Sequence, residues 1–95
     1  MRVLIAVAWP YASGPRHLGH VAGCYLPADI VARYHRLAGD DVLMVSGSDQ
    51  HGTPITVAAE RCGVPPELFA DQQHERIATA FARLGISFDL YTKTH

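Results

Sequence analysis

The chain has 95 residues, enough for at most one small domain, with 48% hydrophobic residues and a formal charge of −1. Near-neutral charge excludes a nucleic-acid clamp built from this segment alone, because phosphate binding requires a basic face. The longest apolar runs fall far short of the ~20 residues of a membrane span. The run after Arg2 is not read as a secretory leader, since Trp9-Pro10-Tyr11 stands where a small-residue cleavage site would be. Cys24 and Cys62 have neither CxxC spacing nor a partnered histidine, which fits two free thiols in a reducing, cytoplasmic setting.

Residues 3–8 form an unbroken, partly β-branched apolar run, as expected for a parallel strand buried on both faces. Pro10 and Gly14-Pro15 hold an irregular loop before a helix over residues 16–38. Its buried stripe is predicted as Leu26, Ile30, Tyr34 and Leu37, with Arg33 and Arg36 on the other side and Gly39 as the stop. Pro27 should kink that helix, eased by Gly23, whose carbonyl loses its partner. Residues 42–45 read as a second strand and residues 46–53 as a polar loop. Thr53 is the expected N-cap of a short helix, with Pro54 at its first position and Gly63 at its end. Pro65-Pro66 opens a third helix whose stripe is Phe69, Ile77, Phe81 and Leu84, closed by Gly85. Residues 86–91 alternate and predict a half-exposed strand.

The order β-α-β-α-α-β predicts an α/β fold, the first half of a Rossmann-like (HUP-type) parallel sheet with right-handed crossovers. Ligands of such sheets sit outside the carboxyl ends of the strands, where both polar, glycine-bearing loops (residues 9–16 and 46–53) are expected.

In the first loop, His17 and His20 are spaced to share one face of a helix start, where unpaired amides and the dipole favour an anion. Gly19 would admit a phosphate or planar base close to the backbone, Gly14 would permit a tight bend, and Pro10 and Pro15 would stiffen the approach. Together they suggest a nucleoside-triphosphate cradle. Two other readings stand beside it: metal ligands, although HExxH sites use i, i+4 and a further ligand, or ordinary polar residues. Neither GxGxxG nor GxxxxGK[ST] is present. In the second loop Asp49 either caps a turn or faces a cation, and a substrate ammonium would serve.

The string from Pro10 through Tyr11-Ala12-Ser13-Gly14-Pro15-Arg16-His17-Leu18-Gly19 to His20 resembles the HIGH signature of class I aminoacyl-tRNA synthetases. The Pro-Tyr-Ala-x-Gly lead-in narrows it to the branch for methionine, leucine, isoleucine and valine. Gly47-Ser48-Asp49-Gln50-His51-Gly52-Thr53-Pro54 looks like the methionine-specific family. Trp9 and the Ser-Gly-Ser-Asp stretch suggest its bacterial or archaeal type with the longer zinc-bearing insertion, and Pro27 departs from the small or polar residue expected. The resemblance runs over essentially the whole chain and implies that residues 1–95 are the N-terminal half of the catalytic domain, truncated before the KMSKS loop.

It further implies activation of methionine by ATP with Mg²⁺ and transfer to tRNA(Met), with structural zinc expected only in the missing insertion. His17 and His20 would be catalytic. Pro10, Gly14 and Gly19 would join them in binding ATP, and Ala8, Trp9, Tyr11 and Asp49 would bind methionine. No residue here is expected to bind a metal. An HxGH nucleotidylyltransferase, or a non-catalytic remnant acting as a binding module, are the alternatives.

Overall fold

A computed structural model of the chain describes residues 1–94. Its elements are β1 (Arg2–Ala6), α1 (Leu18–His20), a π-helical segment (Val21–Tyr25), α2 (Leu26–Leu37), β2 (Asp41–Ser48), α3 (Thr53–Cys62), α4 (Pro66–Arg83) and β3 (Leu90–Lys93). The sheet order is β1-β2-β3, and both pairings are parallel. Ala6 stands opposite Val45, and Ser48 opposite Lys93. The predicted α/β, Rossmann-like arrangement is therefore present.

Successive right-handed crossovers that move the sheet in one direction put their helices on one face. The core forms there, from Val7, Tyr25, Ala32, Met44, Ile77, Phe81 and Ile86. The expectation that β1 is buried on both faces is corrected accordingly: Val3 and Ile5 are half-buried, whereas Leu4 is 66% exposed. A second cluster joins Ala12 of the first loop to Ile55, Ala59, Phe69 and Ala70 of α3 and α4.

The buried side of α2 also differs from the predicted stripe. Leu26, Ile30, Tyr34 and Leu37 are exposed, and the helix instead buries Asp29 and Ala32, with Ala28 packed against the core. Alanines let the helix approach the sheet closely, and polar partners from residues 85–89 decide its rotation. Asp29 accepts the Ser87 amide at 2.7 Å, the Ser87 hydroxyl, and Arg33 Nε at 2.8 Å. Arg33 also donates to the Gly85 carbonyl, and Arg36 reaches the Ser87 hydroxyl at 2.6 Å and Asp89 at 3.0 Å. Those arginines, expected to face away, bind the chain between α4 and β3.

The helix starts at Leu18 rather than residue 16, and the irregularity expected at Pro27 lies just upstream. Leu26 donates to the Val21 carbonyl, five residues back, so a wider π-turn accommodates the missing proline amide and the ring. Gly39, Gly63 and Gly85 supply the predicted helix stops, with φ between 68° and 87°.

Smaller corrections concern ends. Gly52, not Thr53, is the N-cap of α3, at φ 137°, and Pro54 is the second helical residue. β2 continues to Ser48, because its polar end pairs with β3. Only the end of the 86–91 segment is strand; Ile86 is buried and Ser87 is held by Asp29. Leu84 caps α4 and is 55% exposed, while Phe69, Ile77 and Phe81 are buried as predicted.

Candidate active site at the carboxyl edge of the sheet

The two polar loops leave the carboxyl ends of β1 and β2 and are bonded to each other. Asp49 N–H donates to the Pro10 carbonyl at 2.8 Å, and Ala12 N–H donates to the Asp49 carbonyl at 2.9 Å, an isolated parallel bridge between Tyr11 and Asp49. Between that bridge and the Ala6–Val45 pair, four residues (7–10) run opposite three (46–48). The extra residue bulges the first chain, as strands do where a side chain is re-aimed. Ser46 compensates: its hydroxyl donates to the Val7 carbonyl at 2.9 Å and lies 3.5 Å from that of Ala8.

The bulge turns Trp9 across Gly47, where a Cβ would lie 2.7 Å from the indole ring and 2.7 Å from the Thr92 carbonyl. Tyr11 lies on Gly52 in the same way, at 3.0 Å from the position of a Cβ. Sequence reasoning gave Gly47 and Gly52 no such role, although a glycine in a strand is a signal of close approach. Trp9 and Tyr11 keep 44% and 46% of their surface exposed beside the half-buried Asp49, so aromatic faces and a carboxylate share one edge. Asp49 Oδ1 accepts the His51 amide at 3.2 Å, the turn-capping bond expected of an aspartate; Oδ2 has no hydrogen bond among the described residues.

Along the first loop, Ala12 is fully buried against α3 and α4, and Arg16 Nη2 donates back to the carbonyls of Tyr11 (3.2 Å) and Gly14 (3.0 Å). Gly14 has neither a left-handed φ nor any atom within 4 Å of a built Cβ, so a bend does not require it.

His17 and His20 stack with ring centroids 3.5 Å apart. Each Nδ1 accepts a backbone amide: Gly19 N–H to His17 at 3.0 Å and His17 N–H to His20 at 3.1 Å. Two amides expected to be open to an anion are thus taken by the rings. In exchange each neutral imidazole, its Nδ1 an acceptor, carries its proton on Nε2, which makes no hydrogen bond among the described residues. A Cβ on Gly19 would come within 2.9 Å of His17 Cε1, so glycine is needed here for the ring to fold over the first turn. The His20 pKa is lowered by burial, and further by the charges of Arg16 and His17. This favours the neutral, capped form.

The class I tRNA synthetase (M) family profile matches residues 3–95. The chain belongs to this family. Among relatives in the class I synthetase family, the methionine–tRNA ligase of Thermomicrobium roseum is 66% identical over 91 residues, covering 96% of this chain and 16% of its own length. That of Nocardioides sp. is 61% identical over 93 residues, covering 98% and 16%. The chain therefore spans about one sixth of these curated relatives. Among solved structures, Mycobacterium tuberculosis methionyl-tRNA synthetase bound by methionyl-adenylate superposes with a TM-score of 0.94 at 31% identity, over 99% of this chain and 18% of that one. The ternary complex of LeuRS, tRNA and LeuAMS from Agrobacterium radiobacter K84 matches with 0.91 at 29%, over 97% and 12%.

Among the described residues no group of three or more His, Cys, Asp or Glu side chains is placed to hold a metal ion, and no helix is long and apolar enough to cross a membrane. A depression lined by Gln50, Ile55, Pro66 and Ala70 lies behind the second loop and contains none of the predicted site residues.

Proposed function

We propose that this chain is the N-terminal half of the catalytic domain of a cytoplasmic methionine–tRNA ligase. The observation that carries the reading is the Pro10–Asp49–Ala12 hydrogen-bonded seam, which sets the HxGH loop and the Ser-Asp loop side by side at one sheet edge. The relatives' names and the adenylate in the matched structure supply the substrate class.

In this reading a methionine carboxylate oxygen attacks the α-phosphorus of ATP, and pyrophosphate leaves. The Nε2–H groups of His17 and His20 donate to phosphate oxygens as charge builds there, a preorganised electrostatic contribution. Pro10, Gly14 and Gly19 line the nucleotide, and the open space over Gly14 suits close approach. Asp49 Oδ2 receives the methionine ammonium, while Ala8, Trp9 and Tyr11 flank the amino acid. The methionyl group then passes to a 3′-terminal hydroxyl of tRNA(Met), and AMP leaves. Mg²⁺ would travel with the triphosphate. Most tRNA contacts, and any structural zinc, belong to the remainder of the polypeptide.

The test is methionine-dependent exchange of pyrophosphate into ATP by the full-length enzyme. His17→Ala and His20→Ala should each lower kcat by about 10²-fold or more, the usual cost of losing one such donor. Unchanged exchange in both variants would sink the assignment.

A further inference from the structure

Three polar side chains outside the proposed ligand contacts meet behind Asp49. Ser48, fully buried at the end of β2, has its hydroxyl 2.8 Å from the Tyr91 hydroxyl of β3 and 2.8 Å from His74 Nδ1 of α4. His74 is itself buried, and its ring stacks on that of Tyr91 with centroids 5.5 Å apart. Tyr91 packs in turn against Phe81 and Phe88 of the main core. On the other side of Asp49, Gln50 is pinned through its amide to Thr94 Oγ1 and through Nε2 to Asp71 Oδ1, each at 2.9 Å. Both chain neighbours of Asp49 are thus anchored to α4 and to β3 or the residue that follows it, while its own carboxylate is held, among the described residues, by a single bond to its own loop.

A satisfied polar network inside a core specifies one geometry more sharply than apolar packing does. What this network specifies is the backbone on which the Asp49 carboxylate stands. We propose that Ser48, His74 and Tyr91 are positioning residues for Asp49, and through it for the substrate ammonium. The proposal rests on the reading of Asp49 given above.

The test compares Ser48→Ala and Tyr91→Phe in the full-length enzyme, alone and combined with Asp49→Asn. Ser48→Ala removes the hub and should weaken methionine by about 5- to 20-fold, a coupling usual for residues in one network. ATP and deaminated methionine, which lacks the ammonium, should change less than about twofold, as uncoupled ligands do. Tyr91→Phe should act in the same direction, and more weakly. In the Asp49→Asn background the effect of Ser48→Ala on methionine should vanish. Exchange of the Asp49 amide, bonded to Pro10, should accelerate in Ser48→Ala without any ligand.

A loss shared equally by all three ligands, or a lowered Tm with unaltered binding and exchange, would overturn the positioning role. If Asp49→Asn itself left methionine binding intact while Ser48→Ala still accelerated exchange, the ammonium reading would fall and the positioning of residue 49 would stand.

Discussion

His17 and His20 cap each other's turn: each ring nitrogen Nδ1 takes a backbone amide, and the two rings stack at 3.5 Å. The arrangement separates what the two ends of each imidazole do. Nδ1 serves the fold, and Nε2 makes no hydrogen bond among the described residues, which suits the phosphate contact proposed above.

That division can be tested at His20. Asparagine retains an acceptor near Nδ1 but has no donor as far out as Nε2, whereas glutamine keeps a capping acceptor, as at the third position of a capping box, and also extends a donor. His20→Asn should keep stability within about 0.5 kcal/mol, as cap-preserving exchanges do, and still lose pyrophosphate exchange. His20→Gln should likewise keep stability within about 0.5 kcal/mol, because glutamine makes the same reciprocal bond at this position, and retain more exchange. NMR of the ring nitrogens should find His20 as the Nε2–H tautomer, its pKa lowered by burial and by the charges of Arg16 and His17. The opposite ranking of the two variants would refute the division.

Asp29 is 4% exposed and satisfies the Ser87 amide, the Ser87 hydroxyl and Arg33 Nε. Burial alone would raise its pKa. The Ser87 bonds and Arg33 outweigh burial and leave the carboxyl below its ordinary value. Its stabilising contribution is therefore complete above the ordinary carboxylate range and is lost as pH falls through the lowered pKa. Asp29→Ala should cost on the order of 1–3 kcal/mol, because it leaves the part-buried Ser87 amide without its acceptor and takes the carboxylate from Arg33. Denaturant titration would read this, and a loss below about 0.5 kcal/mol, the level of a surface substitution, would contradict it.

The Asp29 network shows where sequence reading stops. The succession of strands and helices, the two polar loops at the carboxyl edge and most of the α4 stripe (Phe69, Ile77 and Phe81, though not Leu84) were legible, because each depends on local periodicity or on turn residues. The rotation of α2 was not. Leu26, Ile30, Tyr34 and Leu37 have the better apolar spacing, yet the partners of Asp29, Arg33 and Arg36 lie in residues 85–89 and meet them only after folding. The Asp29–Arg33 spacing of i, i+4 was the one local hint. Gly47, Gly52 and the Ser48–His74–Tyr91 cluster were invisible for the same reason: their contacts cross between elements.

The open faces have a physical consequence for the 95-residue polypeptide on its own. Leu4, Leu43 and Leu90 are half or more exposed on the sheet, and Ile30, Tyr34 and Leu37 on α2. Such contiguous apolar surface promotes association. The polypeptide should sediment as concentration-dependent oligomers and melt broadly, and Ile30→Lys with Leu37→Lys should reduce association without lowering helix content. A sharp, concentration-independent monomer melt would count against this.

His74 provides a pH signature for the cluster behind Asp49. Burial lowers its pKa; Glu75 and Asp71 pull the other way, and Lys93 adds to the lowering. A histidine held neutral by the fold takes up its proton more readily when unfolded. Its contribution to stability is therefore complete above the unfolded value of about 6.5 and falls as pH drops below it, toward the lowered folded pKa. Stability of the wild-type protein should decline through that window, and His74→Gln should flatten the decline attributable to this group. An unchanged slope would mean that His74 titrates alike in both states.

The sharpest prediction concerns the charge of Asp49. Oδ1 already accepts the His51 amide, and Oδ2 makes no hydrogen bond among the described residues. Asp49→Asn preserves the turn through its own carbonyl oxygen and replaces only the outer oxygen with a neutral donor. If that oxygen binds the substrate ammonium, the exchange removes a charge-assisted bond in a partly desolvated site. It should then cost roughly 1.5–3 kcal/mol, or about 10- to 150-fold in methionine affinity. ATP binding should stay level or improve, because an anion near the triphosphate has gone. A purely turn-capping aspartate behaves otherwise: asparagine caps nearly as well, so folding and both affinities would hardly move. Deaminated methionine completes the design, since it should bind wild type and Asp49→Asn about equally. Calorimetric titration of both ligands against both full-length proteins decides between the roles, and an equal loss for methionine and its deaminated analogue would leave the ammonium contact without support.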